Sequence, residues 1–478
     1  LRLRDLDFSS LRVVLLFVAV GATACLMPAQ ADTYWHLRAG QDLFRSGHVQ
    51  LTELYSHTAR GRPWPNHEWL WQAISYGSYR MGGMPLLQLL AASCVTLAVA
   101  LAYRAMRARP SVNFVLALLG IPLASVSWAL RPQAVSLLFL IVLLHLLLAQ
   151  RFWLLPALFL VWANLHGAVA MGGVVLTVAT IVSAFDDERA RFRKLLVATI
   201  VSGLATALTP MGLGLWRFIG QSIARSRQNQ ILEWLPAYPR GPIEIGFWVG
   251  ALALMACTLR RWRRLGSWQD RVTVAAALVL VPLAARAVRN ISPFFLLWLP
   301  AMSRLIGPQA RLPRARPSAG EPSVEHPRLN LALVAVAGVG ATIAIGWCFW
   351  LPLDRLGWHP IPDRALAAIA GCPGPLYNRY NEGGYLIWFA PEVPVFIDSR
   401  QDPYPPELLT AHAAAERSGD FAELFARYHI GCAALPPNSP VALRLTAARW
   451  IEKFRDDSWV VFHPAASPRV GHDSAPGP

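Results

Sequence analysis

Charge is what this chain has least of. Only 15% of its 478 residues are Asp, Glu, Lys or Arg, against 55% hydrophobic, and the mean hydropathy is +0.38. A soluble domain carries closer to a quarter charged residues, so an ordinary water-soluble globule is excluded and a polytopic membrane protein fits. A glycine-rich loop with a phosphate-binding lysine is also lacking, and the polar loops between apolar runs are too short for a nucleotide-binding domain. Chemistry driven by ATP or a nucleotide sugar therefore has no visible home. No clear internal repeat is present, and the centres of the apolar runs are almost free of charge, both of which argue against a transporter. His145 is the exception, and a lone helix histidine more often packs than functions. Cysteine is scarce: four of the six lie in apolar runs as packing residues, leaving Cys372 and Cys432 in the tail. In an exported domain that pair is open to a disulfide, with two buried thiols as the alternative.

What charge there is has a pattern. Apolar runs that begin near Leu11, Met84, Val112, Ala134, Phe152, Ala168, Leu195, Glu244, Val272, Ile291 and Leu329 predict about eleven transmembrane helices of about 20 residues each. Arginines fill alternate loops. Arg104, Arg107 and Arg109 follow the second run, Arg189, Arg191 and Arg193 the sixth, Arg260, Arg261, Arg263 and Arg264 the eighth, and Arg304, Arg311, Arg314 and Arg316 the tenth. The positive-inside rule places these loops and the N-terminus in the cytoplasm and the tail after Leu353 outside. The net charge of +16 then reflects topology and gives no reason to expect a nucleic-acid partner.

Three regions follow: a transmembrane domain over 1–353, an extracytoplasmic α/β domain over 354–464 and a frayed end over 465–478. Within the first, 28–83 is a long outer loop, and 306–327, rich in Pro and Arg, reads as a disordered cytoplasmic linker. In the tail, Pro394–Asp398 and Trp459–Phe462 read as strands, and Pro406–Glu416, Phe421–Tyr428 and Ala442–Phe454 as helices. Ala29-Gln30-Ala31 also mimics a signal-peptidase site, so a cleaved first segment is the alternative to a retained helix.

Polar chemistry collects in the outer loops. Asp32 follows the first apolar run directly, in Asp32-Thr33-Tyr34-Trp35-His36, and an acid at a membrane edge is costly enough to be a functional candidate. The same loop holds Asn66, His67 and Glu68, with Trp35, Trp64, Trp69, Trp71, Tyr76 and Tyr79 suited to helices lying in the membrane interface. Other outer ends supply Arg131, His166, Glu233, Arg286 and Arg289. For His166 an interhelical packing role is equally open. Arg131, Arg286 and Arg289 on one face would clamp a phosphate, because guanidinium matches phosphate in a fork. Acids beside arginines at an outer surface suit transfer of a sugar from a lipid phosphate. A carboxylate takes the acceptor's proton, and arginines, alone or with a divalent cation (Mg²⁺ or Mn²⁺), stabilise the departing phosphate.

The layout resembles the type C (GT-C) polytopic membrane glycosyltransferases, in which an acid soon after the first helix is implicated in catalysis or metal binding. That resemblance assigns such a role to Asp32 alone; Glu68 and Glu233 are catalytic candidates by position. The chain is similar over most of its length to a bacterial group of predicted membrane glycosyltransferases of undefined substrate. The shared residues are Trp35-His36-Leu37 with Gly40, Arg62-Pro63-Trp64, Asn66-His67-Glu68-Trp69, Arg131-Pro132-Gln133, Trp162-Ala163-Asn164-Leu165-His166-Gly167 and Glu233-Trp234. In the tail they are Tyr380 to Trp388 and Val395 to Arg400. The resemblance implies a GT-C-like helical fold in the bacterial cytoplasmic (inner) membrane, with the C-terminal domain in the periplasm. It also implies a polyprenyl-phosphate-linked sugar donor, membrane lipids as partners and an unspecified acceptor. Substrate contacts are expected from His36, Asn66, His67, Arg131, His166, Arg286, Arg289, Asp398 and Arg400. For Asp398-Ser399-Arg400 a strand end closed by a local ion pair is the alternative. The block Tyr380 to Tyr385 is weakly similar to an oligosaccharyltransferase motif but carries Glu382 and paired glycines, so glycosylation at Asn is not supported. The competing functional class is a non-catalytic glycan carrier, transporter or assembly scaffold.

Overall fold

The computed structural model describes residues 7–228, 232–307, 326–350 and 356–465. The chain divides into two compact units that interleave along the sequence. The first takes Leu1–Ala29, Ala39–Val49 and Asn66–Trp358; the second takes Gln30–Arg38, Gln50–Pro65 and His359–Pro478. Most of the linker expected at 306–327 and of the frayed end expected at 465–478 lies outside the described residues.

The first unit is helical. Its helices are α1 (Phe8–Cys25), α2 (Ala31–Ser46, whose first half belongs to the second unit), α3 (Trp69–Arg104), α4 (Pro110–Ala124), α5 (Gln133–Leu148), α6 (Leu155–Leu165) and α7 (Val169–Ala184). They continue through α8 (Arg189–Ala205), α9 (Gly214–Gln228), α10 (Pro242–Arg261), α11 (Trp268–Arg286), α12 (Ile291–Ile306) and α13 (Pro327–Trp350). Each of the eleven apolar runs is helical. Five helices among the described residues are long and apolar enough to cross a membrane, and four shorter apolar ones accompany them. Neither α8 nor α12 is in those groups. Helix α12 is a core helix: every residue from Ile291 to Leu305 is buried, enclosed by α4, α10 and α11. Apolar side chains such as Leu97, Leu119, Val249, Leu252 and Val339 point outward from the other helices, as a lipid-facing surface requires.

Two features of the outer loop differ from expectation. The helix expected to start near Met84 begins at Trp69 and bends at Gly82-Gly83, where Gly83 takes φ +64 ahead of Pro85. Only glycine adopts that conformation without strain, and a proline one turn into the second half costs no hydrogen bond it could have made. Of the aromatics expected in the interface, Trp35, Trp64 and Trp71 are buried in protein, while Trp69, Tyr76 and Tyr79 are partly exposed.

The second unit holds α14 (Asp363–Ala370), β1 (Leu376–Asn378), α15 (Gly383–Phe389), α16 (Pro406–Ser418), α17 (Ala422–Arg427), β2 (Cys432–Leu435), α18 (Pro440–Ala447), β3 (Ile451–Arg455) and β4 (Val460–His463). The sheet order is β1-β2-β4-β3, with β1 and β2 parallel and the other pairs antiparallel. Tyr377, Phe396, Phe425, Leu435 and Phe462 fill its core. Cys372 and Cys432 form a disulfide 60 residues apart, a closure worth about 4 kcal/mol in the chain-entropy account. The helix expected over Ala442–Phe454 stops at Ala447. Arg449 turns left-handed at φ +59, and Ile451–Arg455 pairs with β4, because β-branched and aromatic residues there favour an edge strand. Pro394–Asp398 lies outside the sheet; it makes one parallel bridge, Val395 to Ser56 of the outer loop. Gly383-Gly384 opens a helix rather than a strand.

Candidate functional site

In the helical unit, Glu233 sits on a short turn between α9 and α10. Backbone bonds from Val288 N to Leu235 O (3.1 Å) and from Ala237 N to Ala285 O (3.0 Å) fasten that turn to the junction of α11 and α12. The fastening brings Arg289 Nη1 to 3.1 Å from Glu233 Oε1, while Arg131, from the turn before α5, places Nη2 at 3.1 Å from Oε2. Each carboxylate oxygen thus has its own guanidinium, and Arg289 also lies 4.5 Å over the Trp234 ring. Both arginine side chains are less than a fifth exposed, which strengthens the pairing over a surface ion pair. The trio keeps one net positive charge. Arg286, expected in the same clamp, is exposed at the end of α11 and makes no ion pair among the described residues.

A second cluster lies at the start of α3. Asn66 and Gln72 exchange side-chain hydrogen bonds of 2.9 and 2.6 Å, and Trp69 Nε1 donates to Asn164 Oδ1 at 2.7 Å. These bonds fix the first turn, so Glu68 Oε1 stands 3.5 Å from His67 Nε2 and 3.6 Å from His166 Nε2. The far nitrogen of His166, Nδ1, is 2.8 Å from Ser136 Oγ, which accepts from Trp162 Nε1 at 2.9 Å. His166 and Arg289 line one small cavity of about 50 Å³, with Ser136, Gln133 and Asn290 among its polar residues and Leu137, Leu140 and Met171 in a largely apolar wall. The Glu68 and Glu233 clusters therefore meet across a space that holds a few waters. Asn66 is committed to packing, and His145 Nε2 lies 2.9 Å from Leu101 O, an interhelical bond.

Asp32 belongs to the second unit, in the first turn of α2, where the helix dipole favours a carboxylate. Its Oδ1 accepts from Trp35 Nε1 at 3.1 Å and from the Ser399 hydroxyl. His36 is buried and stacks on Trp35 with ring centroids 3.6 Å apart. Gly384 is obligatory beside this turn, since a Cβ there would meet Ala31 O at 2.1 Å. The donors around Asp32 suit an anion held in place. Among the described residues no group of three or more His, Cys, Asp or Glu is arranged to hold a metal.

Asp398 and Arg400 adopt the local ion-pair arrangement. Arg400 is buried, with Nε 2.8 Å from Asp398 Oδ1, Nη2 2.6 Å from Oδ2 and Nη1 2.6 Å from Glu53 Oε2. Its guanidinium lies between the rings of Tyr55 and Trp64, at 4.9 and 4.6 Å. These two carboxylates and the neighbouring Tyr404 make the cation more stable than burial alone would allow. Beside this network, Arg379 Nε serves two acids, Glu416 at 3.2 Å and Glu382 at 3.8 Å. Burial pushes both carboxyls up, in Glu416 against a 2.7 Å bond from Tyr377 OH. Glu53, Ser136, Trp162, Ser399 and Glu416 were invisible to sequence reasoning as site residues. Their partners are distant in the chain, and only Trp162 and Ser399 of the five fell within singled-out motifs.

No family model matches the chain, and no curated protein matches it. Solved structures do. ArnT from Cupriavidus metallidurans, in its apo state, superposes with a TM-score of 0.52 at 17% identity, over 96% of this chain and 99% of that one. The archaeal oligosaccharyltransferase AglB from Archaeoglobus fulgidus, in complex with an inhibitory peptide and a dolichol-phosphate, superposes with a TM-score of 0.54 at 9% identity, over 89% and 69%. The chain shares its overall fold with these two structures, and its apolar helices fit a polytopic membrane protein.

Proposed function

We propose that the chain is a membrane glycosyltransferase that moves a sugar from a polyprenyl-phosphate donor to a glycan, lipid or protein acceptor at the outer face of the bacterial cytoplasmic membrane. The observation that carries this reading is Glu233 gripped by Arg131 and Arg289 beside a small, largely apolar cavity that Arg289 itself lines. Two guanidiniums less than a fifth exposed, with one positive charge in excess, are suited to receive a phosphate that displaces or joins the carboxylate. The type C neighbour AglB was captured with a dolichol-phosphate, which supports a lipid-phosphate ligand by analogy of fold.

In this reading a carboxylate base takes the proton of an acceptor hydroxyl, the hydroxyl oxygen bonds to the anomeric carbon, and the bond from that carbon to the phosphate oxygen breaks. Inversion follows from the single displacement. The lipid phosphate leaves with the pair of electrons, and Arg131 and Arg289 neutralise the charge it gains. Glu68 is held between His67 and His166, where a carboxylate keeps an imidazole oriented and ready to bond a sugar hydroxyl.

The test is binding first and transfer second. Native mass spectrometry of the full chain with polyprenyl phosphate should show retention by the wild type. The Arg131→Gln/Arg289→Gln variant should lose it by a factor of about ten or more, given about 1.5–3 kcal/mol for a charge-assisted bond. Equal retention by both would remove the lipid-phosphate reading. In a reconstituted screen of polyprenyl-phosphate sugars, Asp32→Asn should lower transfer by about 10²–10⁴-fold if Asp32 is the base. Retention of the lipid with no transfer by any form would favour a carrier.

A further inference from the structure

A second basic cavity lies at the other end of α4 and α12 from the Arg131–Glu233–Arg289 cluster. Helix α4 runs from this cavity toward Ser127, whose hydroxyl donates to Arg289 O, so its 15 residues separate the two sites by about 22 Å. The cavity has about 500 Å³ of open space, the size of an ordinary ligand pocket. Arg109, Arg261 and Arg264 line it, and among the described residues no acid does.

The wall is built rather than incidental. Ser303 Oγ accepts from Arg107 N (2.7 Å) and Ala108 N (2.8 Å) and donates to Asn113 Oδ1 at 2.9 Å, which ties the turn before α4 to the end of α12. Arg304 adds a bond from Nη1 to Ala105 O at 2.6 Å. Arg261 Nη1 donates to Leu305 O at 2.6 Å, which positions its remaining donors at the cavity. Arg109 and Arg264 make no ion pair among the described residues. The nearest acid of this region, Asp270, is already bonded to Arg107 and Arg304, each at 3.1 Å. The cavity also receives the first turn of α4, which starts with Pro110 and has no side-chain cap; Asn113 N donates to Arg109 O at 3.0 Å, which leaves the N–H groups of Ser111 and Val112 without a helix acceptor at the positive end of the helix dipole.

We infer that this cavity is a binding site for a phosphate-bearing anion, with Arg109, Arg261 and Arg264 as its cationic wall and the start of α4 as its backbone floor. The ligand is either an anionic phospholipid headgroup or a soluble phosphate ester; both present the same chemistry to the arginines. The site is separate from the proposed donor site, and loss of one leaves the other testable.

The experiment uses the full chain in mild detergent. Native mass spectrometry with phosphatidylglycerol and with phosphatidylcholine reads the lipid source, and thermal unfolding with inorganic phosphate reads the soluble one. The wild type should retain phosphatidylglycerol over phosphatidylcholine, or gain thermal stability with millimolar phosphate. Arg109→Gln/Arg264→Gln should weaken either effect about 30-fold, fivefold for each arginine from the roughly 1 kcal/mol a basic side chain contributes at an anionic surface. Arg263→Gln, which removes an exposed arginine outside the cavity, should change little. The inference is overturned if neither probe binds, or if Arg263→Gln loses binding as much as the double variant does. Circular dichroism and retained polyprenyl-phosphate binding show that the double variant is folded.

Discussion

Replacing Arg400 with methionine tests whether the Asp398–Arg400–Glu53 network is structural. The side chains of Glu53 and Asp398 are fully buried, and that of Arg400 is 1% exposed. Methionine fills much of the same space but leaves two carboxylates in the core without their counter-charge. Breaking a buried pair in this way costs about 3–5 kcal/mol, far more than the loss of a surface bridge. The compensated variant Glu53→Gln/Asp398→Asn/Arg400→Met keeps acceptors for Tyr404 OH and for the amides of Tyr55 and Ser56 while removing every charge. It should recover at least half of that loss. Urea unfolding of the full chain, followed by tryptophan fluorescence and by protease cleavage of the second unit, measures both. Trp64 stacks on Arg400 and reports directly. A shift below about 1 kcal/mol for Arg400→Met would refute the reasoning, because the guanidinium would then be dispensable to the fold and free for a ligand. A compensated variant no better than the single one would mean that packing, not charge, is what the site supplies.

Two further outcomes can be measured in the same unit. Burial holds the His412 imidazole down at about 4, from an ordinary 6.5, so the folded state binds its proton less readily than the unfolded chain. Its contribution is therefore complete above pH 6.5 and is lost as pH falls to about 4, at about 1.4 kcal/mol per pH unit. Glu382 and Glu416, pushed up by burial, act oppositely and lose stability as pH rises above 4.5. Unfolding of His412→Leu between pH 7 and 5 should thus show a flatter acid limb than the wild type; an unchanged slope would assign the acid sensitivity elsewhere. Gly383→Ala should destabilise by about 1–3 kcal/mol or more, since its Cβ would stand 2.1 Å from Ile397 O, whereas alanine at an open helix position stabilises by up to about 1 kcal/mol. A rise in melting temperature would show that the contact relaxes freely.

Sequence alone determined the class of molecule and most of its helices. Low charge and long apolar runs leave the backbone no choice in lipid but to bond within itself, so the eleven runs were legible as helices. The polar outer ends were legible for the same reason, since an acid or histidine at a membrane edge stands out against an apolar background. It could not say which of these residues met. Arg131 and Arg289 were marked as phosphate ligands, yet their partner is Glu233, from a turn fastened to the α11–α12 junction by backbone bonds that carry no sequence signature. Arg286, three residues from Arg289 and alike in composition, is left outside because it ends α11 on the exposed side. Tertiary structure also decided which charges Asp398 and Arg400 meet, since Glu53 completes their network from some 350 residues away. It assigned Gln30–Arg38 and Gln50–Pro65, read as part of an outer membrane loop, to the C-terminal unit. Local pattern fixes what a segment can form with itself; pairing between distant segments depends on shape and on which buried charges find a counterpart, and that is settled only when the chain has folded.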